Sequence, residues 1–390
     1  MLAFYPILSG YGLSPQIDFG VFAAFIVGVL CIITRKERFK PTFPPGYVLF
    51  FSVALVFAIV VANSLPMRLL LFSVNLCIAC SLADFKLLYK YYGILVFVCC
   101  TFFLFQEIVA FSIGINISGL VSFIPTIYES MGTNQISVQE SLTEHSSLFL
   151  EKSYFAQYLF PFIVLKLFSG KKDDLKKAIM ISFIVVLSRS GNGIVLLLII
   201  WSCWFFMGRI RLKYKMGMII FAVLAILLMM RIDSTIIENI LGRAIELQSY
   251  GGDERFQSSG FIRFFRGYYA YADMPTFNKL FGANPFFVQS IIQSNYFFTD
   301  SDDRFLNGTQ TLLMHHGAIV CFLFFRHLYK MYWQCKKKEI LALFFCCVWL
   351  MFGESYFLCA RMFMTIILMY VMIISDKKVS PIKPKCQVIK

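Results

Sequence analysis

"YYGILVFVCCTFFLFQEIVAFSI", residues 91–113, is an apolar run long enough to cross about 30 Å of hydrocarbon, for which roughly 20 helical residues suffice. Runs like it recur along almost the whole chain of 390 residues, whose mean hydropathy is +0.73. Hydrophobic residues make up 59% and charged residues only 15%, a balance that excludes a soluble domain. The fold class expected is an all-α polytopic integral membrane protein, one transmembrane domain over 1–390.

The runs predict spans near 17–34, 46–64, 69–85, 91–113, 153–169, 178–190, 192–208, 216–232, 307–325, 339–353 and 356–375. Residues 1–14 are apolar but broken by proline and glycine, and would add a partial twelfth element. They lack the basic start and small-residue cleavage site of a removable signal.

Basic residues set the expected orientation. Alternate connections carry "RKERFK" (35–40), Lys86 and Lys90, "GKKDDLKK" (170–177), "GRIRLKYK" (208–215), "RHLYKMYWQCKKK" (326–338) and a tail, 376–390. With Lys166 these hold 25 of the 36 Lys and Arg, which predicts that they face the cytoplasm. The net charge of +14 is then mostly a topology signal with some attraction to anionic lipid, and no nucleic acid is needed to explain it.

The other eleven basic residues, Arg68, Lys152, Arg189, Arg231, Arg243, Arg255, Arg263, Arg266, Lys279, Arg304 and Arg361, are expected outside or near the outer ends of spans, and nine of them are arginine. Arginine grips phosphate or carboxylate oxygens in pairs, so an outward arginine cluster points to an anionic ligand. Two long outer stretches are expected, 114–152 and 233–306. In the second, Ile237, Leu241, Ala244 and Ile245 have helical spacing, and Thr235 with Glu238 fits a capping box. Further on, "FIRFFRGYYAYAD" puts Arg263 and Arg266 on one helical face.

Twelve cysteines are scattered through apolar segments and give no disulfide framework. Cys77 and Cys80 lie inside a span without a redox context, and the four histidines have no metal-ligand spacing. No phosphate-cradling loop, nucleophile elbow or dinucleotide fingerprint occurs.

Three stretches carry a family resemblance. "SSLFLEKSYFAQYLF" (146–160) resembles the acidic-x-Ser-x-x-Ala segment that opens a span in bacterial Wzy-type O-antigen polymerases. "VVLSRSGNGIVLLLII" (185–200) is similar to the Ser-x-Ser-Gly-x-Gly corner of the same family. "RFFRGYYAYADMPTFNKLFGANP" (263–285) and "LNGTQTLLMHHGAIVCFLFF" (306–325) resemble the arginine-rich outer loop, the Leu-Phe-Gly-x-x-Pro turn and the Asn-led span that polymerases share with O-antigen ligases. Lys152 stands where the family usually has proline. Leu306 stands where ligases carry histidine, which favours polymerase over ligase.

The resemblance implies about 11–12 transmembrane helices with a large extracytoplasmic loop, arranged as in GT-C-type glycosyltransferases. Its members work at the outer face of the bacterial inner membrane. A growing glycan leaves undecaprenyl diphosphate and joins the non-reducing end of another undecaprenyl-diphosphate-linked repeat unit, with membrane lipid and a chain-length regulator protein as further partners. Positioned arginines would stabilise charge developing on the departing diphosphate, so no cofactor and no metal is required. Arg263 and Arg266 are the first candidates for this role, with Arg189 as a third donor and glycines 191 and 193 allowing close approach. Glu151 is the candidate general base for the acceptor hydroxyl. Arg243, Arg255 and Arg304 are secondary candidates for substrate binding, Tyr268, Tyr269 and Tyr271 could stack on sugars, and Asn307, which opens the last motif, is a further substrate-binding candidate.

Each has a plainer reading. Arginines among aromatics anchor interfaces, Arg255 and Arg304 have acidic neighbours, and Glu151 could pair with Lys152 or cap a helix. Two other classes stay open, a lipid-oligosaccharide flippase and a non-enzymatic envelope scaffold.

Overall fold

The computed structural model describes residues 1–14, 17–34, 40–63, 65–127, 145–208, 265, 267–294, 306–353 and 358–379. The chain opens with a short 3-10 turn, Leu2–Phe4, then α1 (Tyr5–Leu8) and an antiparallel hairpin of β1 (Gly12–Ser14) and β2 (Ile17–Asp18). The N-terminal segment thus makes no further span. It is tied onto the helices, with the Tyr158 hydroxyl donating to the Ala3 carbonyl at 2.9 Å.

The long helices follow: α2 (Phe19–Thr34), α3 (Tyr47–Val60), α4 (Met67–Leu82), α5 (Phe85–Ile113), α6 (Lys152–Phe168), α7 (Lys172–Leu187) and α8 (Gly191–Met207). Three short helices come next, α9 (Gly267–Asp273), α10 (Thr276–Phe281) and α11 (Pro285–Ser294), before α12 (Gly308–Cys335), α13 (Lys338–Gly353) and α14 (Ala360–Val379). The described chain is therefore helical apart from one small hairpin. The expected span at 216–232 and the interfacial helix at 234–249 lie outside the described residues. Both α5 and α12 are long and apolar enough to cross a membrane, and α2, α3, α4, α8 and α14 are shorter apolar helices.

The centre of the bundle is α14. Every residue from Leu358 to Ile373 is buried, the pattern of a helix apolar all round and enclosed on all sides. Helices α4, α5, α6, α12 and α13 pack around it, and α1 closes over its start. Tyr5 and Phe72 both meet the Phe363 ring edge-on, at 5.0 and 5.1 Å.

One long helix is broken. At Gly317 the backbone of α12 turns to φ 84°, which a side chain tolerates poorly. A Cβ there would lie 2.3 Å from the Leu280 carbonyl oxygen, because the turn after α10 enters the break. Gly282 has φ +88° in that turn, and the Ala283 amide donates to the Met314 carbonyl at 3.0 Å.

Charge divides the two ends of the bundle. At one end lie Lys86, Lys90, Lys166, Lys171, Lys172, Lys176, Lys177, Arg326, Lys330 and Lys336 to Lys338. Arg68, Arg189 and Arg361, with Lys152, are at the other. There the starts of α2, α4, α6 and α14 converge with the hairpin and residue 127.

Candidate functional site

Ser9, Asp18, Arg68, Ile127, Tyr154, Cys359, Ala360 and Arg361 line a pocket at the arginine end. Its side chains come from six separate stretches of chain. Arg361 sits in the first turn of α14, so the central helix places a guanidinium in the middle of the bundle end, 6% exposed. That position opposes the positive end of the helix dipole, and burying the charge adds a desolvation cost. Tyr154, in the first turn of α6, offsets part of it: the guanidinium carbon lies 3.7 Å from the ring centroid. A desolvated contact of this kind contributes about 2 kcal/mol.

Asp18 supplies the acid. It ends β2 immediately ahead of α2, and its carboxylate accepts from the Val21 amide at 2.7 Å, which caps the helix. Burial raises its pKa from 3.8 to about 6, against the opposing pull of that hydrogen bond and of Arg68 and Arg361. The pocket therefore combines two guanidinium groups, a carboxyl that titrates near neutrality and a phenol. Its free volume is about 30 Å³, enough for about two waters and too small for a diphosphate without opening.

Glu151 opens α6 three residues before Tyr154, at the N-cap position, and its side chain makes no cap hydrogen bond. The Ser153 hydroxyl donates to the Glu151 carboxylate at 3.0 Å. A third acidic group lies at this end, where Glu107 on α5 meets His145 Nδ1 at 2.8 Å.

The other expected site residues separate into groups. Arg189, exposed and at φ 52°, joins α7 to α8 and does not line the pocket. Its corner is structural in detail: the Ser190 hydroxyl caps α8 by accepting from the Gly193 amide at 3.1 Å, and Asn192 accepts from the Trp349 indole at 3.2 Å. Gly193 makes its close approach to Ala156, since a Cβ there would lie 2.7 Å from the Ala156 Cβ. Asn307 is 3% exposed and caps α12 reciprocally with Gln310, through bonds of 2.9 and 3.0 Å. The Tyr268 hydroxyl is within hydrogen-bonding reach of Thr309 and Asn307, and burial pushes its pKa up. Tyr268 and Asn307 thus join α9 to the start of α12, whereas Tyr269 is exposed. Arg243, Arg255, Arg263, Arg266 and Arg304 lie outside the described residues.

In the sequence, Arg68 and Arg361 stand among the outer basic residues with nothing to single them out, and Asp18 and Tyr154 carry no motif of their own. The available signal was their position: each stands at the first turn, or just ahead, of an apolar run. In comparisons with protein-family models, curated proteins and solved structures, the chain matches none.

Proposed function

We propose that this chain is a glycan polymerase of the bacterial inner membrane, transferring a growing polysaccharide from undecaprenyl diphosphate to another lipid-linked repeat unit. The buried Arg361, stacked on Tyr154 and grouped with Arg68 and Asp18, is the observation that carries the reading. A guanidinium held at the start of the central helix is costly unless an anion benefits from it, and a departing diphosphate is such an anion. In this reading the lysine end faces the cytoplasm and the pocket faces the periplasm.

Arg68 and Arg361 take the diphosphate as the pocket opens, joined by Arg263 and Arg266 of the large loop. Glu151, one helical turn from Tyr154, receives the acceptor hydroxyl proton. The three sequence motifs support the same chemistry, since they place an acidic residue and an arginine-rich loop on one side of the bilayer.

Alanine substitution of Arg361, Arg68, Arg263 and Arg266, one at a time, followed by gel analysis of surface polysaccharide, tests the proposal. Single-repeat product is expected from each. Normal ladders from well-expressed Arg361 and Arg68 variants would remove the pocket from the mechanism, and normal ladders from all four would end the polymerase reading.

A further inference from the structure

The lysine end has a groove of its own, with a free volume of about 240 Å³ against about 30 Å³ at the arginine end, an eightfold difference. It runs between α5, α6 and α7. From its charged rim, Lys90 on α5 and Lys177 on α7 flank the opening, both exposed. Lys166 stands behind them, its side chain 12% exposed, donating to Asp174 at 2.7 Å. Its ammonium lies 5.2 and 5.3 Å from the Tyr89 and Phe162 ring centroids. The charge of Lys166 is thus matched within the protein, and the rim keeps an excess of two positive charges.

Away from the rim the lining changes character. One turn further along α5 comes Gly93, then Ile94 and Phe97, with the Phe162 ring as the floor. A Cβ on Gly93 would lie 3.1 Å from Phe162 Cε2, so the glycine lets that ring pack directly against the α5 backbone and floor the groove. Ile94 is 49% exposed. Positive charge at one end of a groove and apolar walls at the other, at the boundary between apolar and polar chain, match an amphiphile with an anionic head.

We propose that this groove binds an anionic glycerophospholipid of the leaflet at the lysine end. Its phosphodiester sits between Lys90 and Lys177, and one acyl chain lies along Ile94 and Phe97 over the Phe162 ring. The inference needs only a membrane-embedded bundle and does not rest on the polymerase reading.

Native mass spectrometry of the full chain in mild detergent, titrated with phosphatidylglycerol or phosphatidylcholine of equal chain length, tests it. Wild-type protein should retain phosphatidylglycerol roughly tenfold better. K90Q/K177Q should remove that preference, and Gly93→Leu should weaken retention of both lipids with all charges in place. Soluble glycerol 3-phosphate should fail to displace the lipid. Equal retention of the two lipids by wild type would overturn the proposal, as would a preference that survives K90Q/K177Q. Displacement by glycerol 3-phosphate would assign the rim to a free phosphate. If K90Q/K177Q does not fold, Gly93→Leu decides the matter, and unchanged retention in that variant excludes the groove.

Discussion

The guanidinium of Arg361 and the ring of Tyr154 face each other at 3.7 Å, joining the central helix to α6 at the end of the bundle where lysine is scarce. A planar guanidinium stacks on the ring where an ammonium makes only a point contact, so lysine does not reproduce this arrangement. Arg361→Lys and Tyr154→Ala should each cost about 2 kcal/mol, and the double variant little more than either alone. Additive losses in that cycle would show that the stack contributes nothing.

Asp18 gives the pocket a pH dependence of definite sign. Its pKa is raised from 3.8 to about 6, so the folded chain holds a proton that the unfolded chain releases between those values. The stabilisation is complete below about pH 4 and gone above about pH 6, and acidification from pH 7 to 5 should add about 1 kcal/mol. Asp18→Asn keeps an acceptor for the Val21 amide and should lack this increment in melting curves taken at the two pH values. An identical pH response in that variant would assign the effect to another group.

Glu151 is separable from its neighbours by a single atom exchange. Glu151→Gln preserves size and the bond from Ser153, and removes only the base. Full-length expression with single-repeat polysaccharide is expected, whereas retained polymerisation would rule out the catalytic role.

Orientation has a direct readout. A reporter active only outside the cytoplasm should work when fused after Arg189 and be silent after Gly170, the two ends of α7. The reverse pattern would place the arginine pocket inside the cell and end the proposed mechanism.

Gly317→Ala should be among the most damaging single-methyl changes in the described chain. The new Cβ meets the Leu280 carbonyl oxygen at 2.3 Å and must adopt φ 84°. A loss of at least about 2 kcal/mol is expected, seen as reduced monodisperse protein in size-exclusion chromatography. Wild-type yield and melting would mean that the break in α12 relaxes freely.

Apolar runs made the helices legible, because a span must satisfy its backbone within itself whatever surrounds it. The run expected at 153–169 appears as Lys152–Phe168, and that at 192–208 as Gly191–Met207. Adjacency across the bundle left no comparable trace. Asp18, Arg68, Tyr154 and Arg361 are separated by tens to hundreds of residues, and nothing local to any of them names the others. Asn307 is the opposite case. Its partner Gln310 stands three residues away, so the capping box is readable in the sequence itself.

The break at Gly317 also limits how this molecule can change. Backbone from 280 to 283 is keyed into the shaft of α12, with the Ala283 amide fastened to the Met314 carbonyl. Turn and shaft therefore travel as one piece. Lengthening either by a residue would force the other out of register, so the two segments are bound to vary together or not at all.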